Sequence, residues 1–136
     1  MKILIVALLG ALTVLWAGWM NSPESGKASE PMLEGTSFSQ IAPQIGKVPM
    51  MLEFGSDKCM SCQQMGRLLY KIKQKHPEAM IYFVDIYQDM PAARKFGIRM
   101  IPTQKFLDKG GQVIDTHIGV LNQEVVEKKL HSMGVF

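Results

Sequence analysis

The hydrophobic pattern divides the 136-residue chain into an apolar leader, a polar connector and an alternating body. Residues 3 to 20, ILIVALLGALTVLWAGWM, carry no charge and give way to the polar stretch NSPESGKASEP over 21 to 31. The run lies between a secretory apolar core of roughly 7–15 residues and a spanning helix of about 20. Trp16 and Trp19 near its outer end suit an interfacial aromatic belt, and no small-x-small cleavage site follows it. Residues 1–20 are therefore expected to be a retained inner-membrane anchor, with a signal segment removed on export as the alternative. Lys2 marks the inner side, which places the remainder outside the cytoplasm, on the periplasmic face of a bacterial inner membrane or, after cleavage, free there. Residues 21–35 are rich in Ser, Gly, Pro and Glu and read as a flexible tether; the folded domain is expected over 36–136.

Within that domain the period changes from segment to segment. SFSQIAPQIG is expected to form a short helix opened by Ser37. VPMMLEF, at 48 to 54, is almost continuously apolar, as a strand covered on both faces should be. A helix follows from Cys59 to His76, with Met65, Leu68, Leu69 and Ile72 at helical spacing and Pro77 to end it. MIYFVDI at 80 to 86 reads as a second buried strand, and PAARKFG at 91 to 97 as a short helix closed by Gly97. TQKFLD and QVIDTHIG, joined by Lys109-Gly110-Gly111, read as a hairpin. The last segment is an amphipathic helix with Leu121, Val125, Val126 and Leu130 on its apolar face. The order helix, strand, helix, strand, helix, hairpin, helix describes an α/β sandwich with a mixed central sheet flanked by helices.

Composition narrows the chemistry. With 15 basic and 12 acidic residues the net charge is +3, too small and too scattered for a nucleic-acid surface. His76, His117 and His131 share no metal-ligand spacing with the cysteines. Both cysteines fall in DKCMSCQQM, as Cys59-Met60-Ser61-Cys62. Such a pair can be a redox couple, half of a metal site or a structural staple. A staple closing so few residues removes little unfolded-state entropy, which disfavours the last. Soft sulfur ligands suit Cu(I), and the chain has 11 Met residues. Met1 and Met20 belong to the leader, however, and Met50, Met51, Met65 and Met80 to predicted core faces. Only Met60 and Met100 are expected near the sulfurs, so Cu(I) handling ranks below redox chemistry, and no bound metal or other cofactor is expected.

A Cys-x-x-Cys where a buried strand meets a helix, then Gly97-Ile98-Arg99-Met100-Ile101-Pro102-Thr103, a Lys-Gly-Gly hairpin and a late Gly119, together resemble the thioredoxin family. The similarity covers about residues 36 to 134. It implies a thioredoxin-like sandwich and a thiol-disulfide oxidoreductase in which Cys59 attacks a substrate disulfide and Cys62 resolves the mixed disulfide. Cys59, at the first turn of a helix and beside Lys58, is expected to have a lowered pKa, with Cys62 deeper and less ionised.

The resemblance also makes Pro102 a cis-proline, with Ile101 pairing an extended substrate segment. Glu53 falls six residues before Cys59, where the family carries a buried Asp that relays protons to the resolving cysteine, although the family's partner lysine is replaced by Phe83. Lys58 replaces the usual Trp, Met60-Ser61 the usual Gly-Pro, and Arg67 the usual helix proline, so Lys58, Met60 and Ser61 are read as a substrate-contacting surface altered for another partner. No helical insertion and no His between the cysteines mark the oxidising branch. The expectation is a reductase fed by a membrane electron transporter and acting on exported cysteine-containing proteins, an apocytochrome for example; a disulfide oxidase or isomerase is the alternative.

Overall fold

The computed structural model describes residues 30–136. The apolar run at 3–20 and most of the expected tether lie outside them. Among the described residues no helix is long and apolar enough to cross a membrane.

The first strand, β1 (Met50–Gly55), is buried at all six positions, as its almost continuously apolar pattern predicts, and Glu53 is buried with the rest. It sits in the middle of a four-stranded sheet of order β2-β1-β3-β4, with β2 at Ile81–Asp85, β3 at Thr103–Leu107 and β4 at Val113–Ile118. β1 runs parallel to β2 and antiparallel to β3, and β3 pairs antiparallel with β4 across the hairpin, so the sheet is mixed. Alternate residues of β1 point to opposite faces and build two cores. Met51 joins Phe106 of β3 and Met65, Leu69 and Ile72 of α2 (Met60–Lys75), together with Val126 and Leu130 of α4 (Gln123–Ser132). Met50, Leu52 and Phe54 join Ile41 of α1 (Phe38–Ile41) and Ala92 of α3 (Met90–Lys95) on the other face. Each fully buried Leu or Phe contributes about 1.5–3 kcal/mol relative to exposure.

Helix α2 begins at Cys59 as N-cap, shows its buried residues on one stripe, carries Lys73 and Lys75 in its last turn where they oppose the dipole, and stops before Pro77. α4 is capped by Asn122, whose side chain accepts from the Val125 N–H at 2.9 Å.

Three local expectations change. Val125 is 45% exposed and lies off the apolar face, which Val126 and Leu130 fill from within α4 and Leu121 borders. Ser37 stands at the N-cap of α1 but makes no capping bond; the Phe38 N–H donates instead to Asp89 Oδ2 at 2.7 Å, a partner 51 residues away. Part of the expected tether is packed onto the domain. The Leu33 N–H donates to the Gly66 carbonyl at 2.9 Å, the Thr36 N–H to the Phe83 carbonyl at 2.7 Å, and Gly35 bridges Phe83 in parallel sense. A Cβ on Gly66 would lie 2.7 Å from Met32 Cε and 3.2 Å from Met32 Cβ, so the glycine in mid-helix is the notch that admits this segment.

Candidate active site

The loop from β1 into α2 places the two cysteines. The Lys58 N–H donates to Ser56 Oγ and the Cys59 N–H to the Ser56 carbonyl, both at 3.2 Å, around a Ser56 that is itself buried. Gln63 Nε2 donates to the Asp57 carbonyl from one turn into the helix. These bonds fix the first turn, where backbone N–H groups have no intrahelical acceptor. Cys59 Sγ takes the place of a capping oxygen: it accepts from the Cys62 N–H at 3.4 Å and lies 3.3 Å from Ser61 Oγ.

Both cysteines carry free thiols in this structure, Cys59 partly exposed and Cys62 with no exposed surface. Their pKa values separate accordingly. Partial burial pushes the Cys59 thiol up, but hydrogen bonds from the Cys62 thiol, the Ser61 hydroxyl and the N–H groups of both residues outweigh it, so Cys59 falls below the ordinary thiol range. Burial, aided by the hydrogen bond to Cys59 and the charges of Cys59 and Glu53, pushes Cys62 up to about 12. Lowering of the Cys59 pKa thus comes from local hydrogen bonds rather than from the Lys58 charge invoked from sequence; Lys58 is exposed. One thiol is shifted toward the thiolate, and the other keeps its proton until something takes it.

The strand beneath makes room for the inner sulfur. A Cβ on Gly55 would lie 3.0 Å from Cys62 Cβ, 3.2 Å from Cys62 Sγ and 3.0 Å from Phe83 Cζ, so no other residue fits without displacing the cysteine or the ring. Glu53, two residues earlier and on the same face, is fully buried. Its Oε2 accepts from Gln104 Nε2 at 2.9 Å, while Oε1 has no hydrogen-bond partner. Desolvation dominates its titration and holds the pKa well above the usual carboxyl range; the Gln104 bond opposes this and the Cys59 charge adds to it.

The Ile101–Pro102 peptide is cis. Since Phe54 pairs Thr103 in the antiparallel register, Pro102 lies beside Gly55, at the end of the sheet that carries the cysteines. Thr103 Oγ1 donates to the Met100 carbonyl at 2.6 Å and the Gly119 N–H to the Pro102 carbonyl at 2.9 Å, which holds this loop from both sides. Ile101 is half-buried, whereas Met60 is 84% and Met100 62% exposed. Met60 and Ser61 therefore differ in kind: Met60 offers an apolar side chain to solvent, and Ser61 turns inward to the Cys59 sulfur. Among the described residues there is no cluster of three or more His, Cys, Asp or Glu able to hold a metal ion. The residue that sequence reasoning missed is Gln104. Its only signal was a polar side chain at the second position of a strand that opens directly after Pro102.

Comparison with known proteins agrees with this geometry. The thioredoxin family model matches residues 31–132. Thioredoxin-like protein CXXS1 of Oryza sativa subsp. japonica is 29% identical over 90 residues, 64% of this chain and 67% of that one. Chloroplastic F-type thioredoxin of Mesembryanthemum crystallinum is 29% identical over 102 residues, 74% of this chain but only about half, 52%, of the relative. Thiol:disulfide interchange protein TxlA of Synechococcus elongatus is 25% identical over 135 residues, 97% of this chain and 70% of that one. A thioredoxin structure from Halobacterium salinarum superposes with a TM-score of 0.63 at 16% identity, covering 77% of this chain and 91% of the other, which establishes the thioredoxin-like fold.

Proposed function

The chain belongs to the thioredoxin family of thiol-disulfide oxidoreductases, and on that premise we propose that it is a reductase of disulfides in exported proteins. The observation that carries this reading is the asymmetry of its two thiols, one hydrogen-bonded toward the thiolate and the other held protonated in the interior. In the proposed cycle the Cys59 thiolate attacks one sulfur of a substrate disulfide, forming a mixed disulfide and releasing the other sulfur as a thiolate. Glu53 then accepts the Cys62 proton. The Cys62 thiolate attacks Cys59, the Cys59–substrate bond breaks, and the second substrate sulfur leaves as a thiolate that takes a proton from solvent. Two electrons have passed to the substrate, the Cys59–Cys62 disulfide remains, and Glu53 returns its proton to solvent. Ile101 and Met60 border the approach to Cys59 and are the surface on which the substrate chain is read.

The apolar run at 3–20 holds the domain to the outer side of the inner membrane in this proposal, with a membrane electron transporter re-reducing the pair and exported cysteine-containing proteins accepting its electrons. The alignment with thiol:disulfide interchange protein TxlA, which takes in almost the whole chain, supports disulfide interchange as the activity. Equilibration of the Cys59/Cys62 couple with glutathione tests the direction of electron flow. The absence of a His between the cysteines favours a potential nearer the thioredoxin value of about −270 mV than the strongly oxidising value of about −120 mV. A potential above about −180 mV, that of a disulfide isomerase, reverses the assignment to oxidase or isomerase. Membrane location is tested separately: in spheroplasts of a bacterium expressing the full chain, an impermeant maleimide should label Cys59 in the membrane fraction, and labelling only after lysis refutes it.

A further inference from the structure

Phe83, Glu53, Gln104 and His117 stand in one row across β2, β1, β3 and β4, on the sheet face against which Cys62 is seated. From β2, where a lysine would have compensated the Glu53 charge, comes only the Phe83 ring. Gln104 supplies the polar partner from the opposite neighbour, β3. Its side chain is fully buried, and Nε2 donates both to Glu53 Oε2 at 2.9 Å and to the Gly119 carbonyl at 3.0 Å. An amide nitrogen has two hydrogens, so both are committed. The orientation of the amide follows from its neighbours, because the reverse orientation would set its oxygen against a carboxyl oxygen and a carbonyl.

That arrangement leaves two buried acceptors without a donor, Glu53 Oε1 and Gln104 Oε1. An unpaired buried oxygen is costly, and more so on an ionised carboxylate. A proton on Glu53 Oε1 turns one of the two orphans into a donor, whereas Oε2 already has its hydrogen bond. We infer that Gln104 is a positioning residue which, by occupying Oε2, leaves Oε1 as the oxygen through which Glu53 exchanges its proton with Cys62. The same side chain ties that carboxyl to the loop beside the cis-proline, since Gly119 accepts from Gln104 and donates to the Pro102 carbonyl. This inference rests on Glu53 acting as the base in the resolving step. There Cys62 Sγ gives its proton to Oε1, the Cys59–Cys62 bond forms, and the bond from Cys59 to the substrate breaks. The titratable groups facing Glu53 are Cys59 and Cys62 from α2, with His117 of β4 next beyond Gln104 in the row.

The test is Gln104→Met, an unbranched replacement without donors, in the full chain. Resolution of the mixed disulfide is followed by rapid mixing from pH 5 to 10, alone and in the Glu53→Gln background. Loss of the bond that stabilises the carboxylate should move the midpoint of the profile to higher pH, slow resolution below it by roughly ten- to hundredfold, leave the high-pH plateau in place, and do nothing further once Glu53 is Gln. An unmoved midpoint with Glu53→Gln slow overturns the role of Gln104 alone. A loss of equal size in both backgrounds also overturns it, as that marks a structural effect. Wild-type resolution in Glu53→Gln would instead overturn the base reading beneath it. Should Gln104→Met fail to fold, side-chain amide resonances of the wild type serve: both Gln104 Nε2 protons should resist exchange and follow the Glu53 titration, and free exchange or indifference to that titration overturns the inference.

Discussion

The two faces of the sheet solve different problems with the same strands. Toward α1 and α3, β1 presents Met50, Leu52 and Phe54, which join Ile41, Val84, Ala92 and Leu107 in an apolar cluster edged by Tyr82. Toward α2 it presents Met51, Glu53 and Gly55, of which only Met51 belongs to the apolar cluster. One face keeps close to the rule that interiors are apolar and filled, its buried Thr103, opposite Phe54, donating to the Met100 carbonyl. The other breaks it twice within three residues, once with a carboxyl group and once with a missing side chain, and both breaks lie beside Cys62. The lesson is one of location: among the described residues, the two buried oxygens left without a partner and a glycine packed against Cys62 lie together at the end of the sheet that carries the cysteines.

The contrast is broken most severely at the sulfurs. Cys59→Ser should abolish disulfide reduction, because no other thiol is exposed to attack, and should trap almost no partner. Cys62→Ser keeps the attacking thiolate but removes the resolving one, so mixed disulfides through Cys59 should accumulate and run as adducts on non-reducing gels. Equal trapping by the two variants would remove the division of labour. A reduced chain that held one Cu(I) against a chelator, lost it equally with either substitution and reduced no insulin disulfides would replace the enzyme with a metal carrier.

Glu53→Gln is the next largest change and separates function from stability. Resolution should slow by about 10²–10⁴-fold, the usual scale of general-base catalysis. Stability should move the opposite way, with a sign set by linkage. The folded pKa is raised, so between the ordinary carboxyl value of 4.5 and the folded value the native state binds more protons than the unfolded chain, and wild-type stability falls as pH rises through that window. Gln carries no such dependence. The variant should gain on the wild type progressively above pH 4.5 in denaturant titrations, and a constant difference from pH 4 to 8 would mean that Glu53 titrates normally.

Leu52→Ala probes the apolar face by the complementary route. Leu52 is fully buried in that apolar cluster, and its truncation should cost about 2–5 kcal/mol. The pH profile of Cys59 alkylation should stay where it was. Movement of that profile would show that the faces are coupled and that the division drawn above is too sharp.

How much of this was legible in the sequence depends on how local the cause is. The buried strand, the helix from the cysteines to Pro77 and the hairpin rest on runs and spacings within single segments, and each was readable. Gln104 was not, because whether the second residue of β3 faces Glu53 or solvent is decided by its pairing with β1, a partner 51 residues away. Asp89 capping α1 has the same sequence separation and was missed for the same reason. Residues 31–35 look like tether by composition, and only the notch at Gly66, a property of α2, shows why they dock. Val125 and Val126 are adjacent and equally apolar, so spacing alone could not decide which of them α4 buries.

The smallest expected effect lies at Lys58 and Ser61, on either side of Cys59, where the sequence points to the Lys58 charge and the structure to the Ser61 hydroxyl. Lys58 contributes a backbone N–H to the turn, and its charge is solvated; Ser61 Oγ lies 3.3 Å from the Cys59 sulfur. A single hydrogen bond of this kind is worth about 0.5–1.5 kcal/mol net, and other donors to the same sulfur remain. Ser61→Ala should therefore raise the Cys59 midpoint modestly in the pH profile of thiolate absorbance. Its alkylation rate below that midpoint should fall by less than the thiolate fraction does, because a more basic thiolate is intrinsically more nucleophilic, with a Brønsted slope of about 0.4–0.5. A loss of roughly two- to threefold is the expected result of those opposing terms. Lys58→Ala should leave the midpoint nearly in place, and the little it does should vanish at 1 M salt, where screening reaches within about 3 Å. If Lys58→Ala moved the profile further than Ser61→Ala, the field of the exposed lysine would outrank the hydrogen bonds of the first turn, and the thiolate would be stabilised from outside the site rather than from within it.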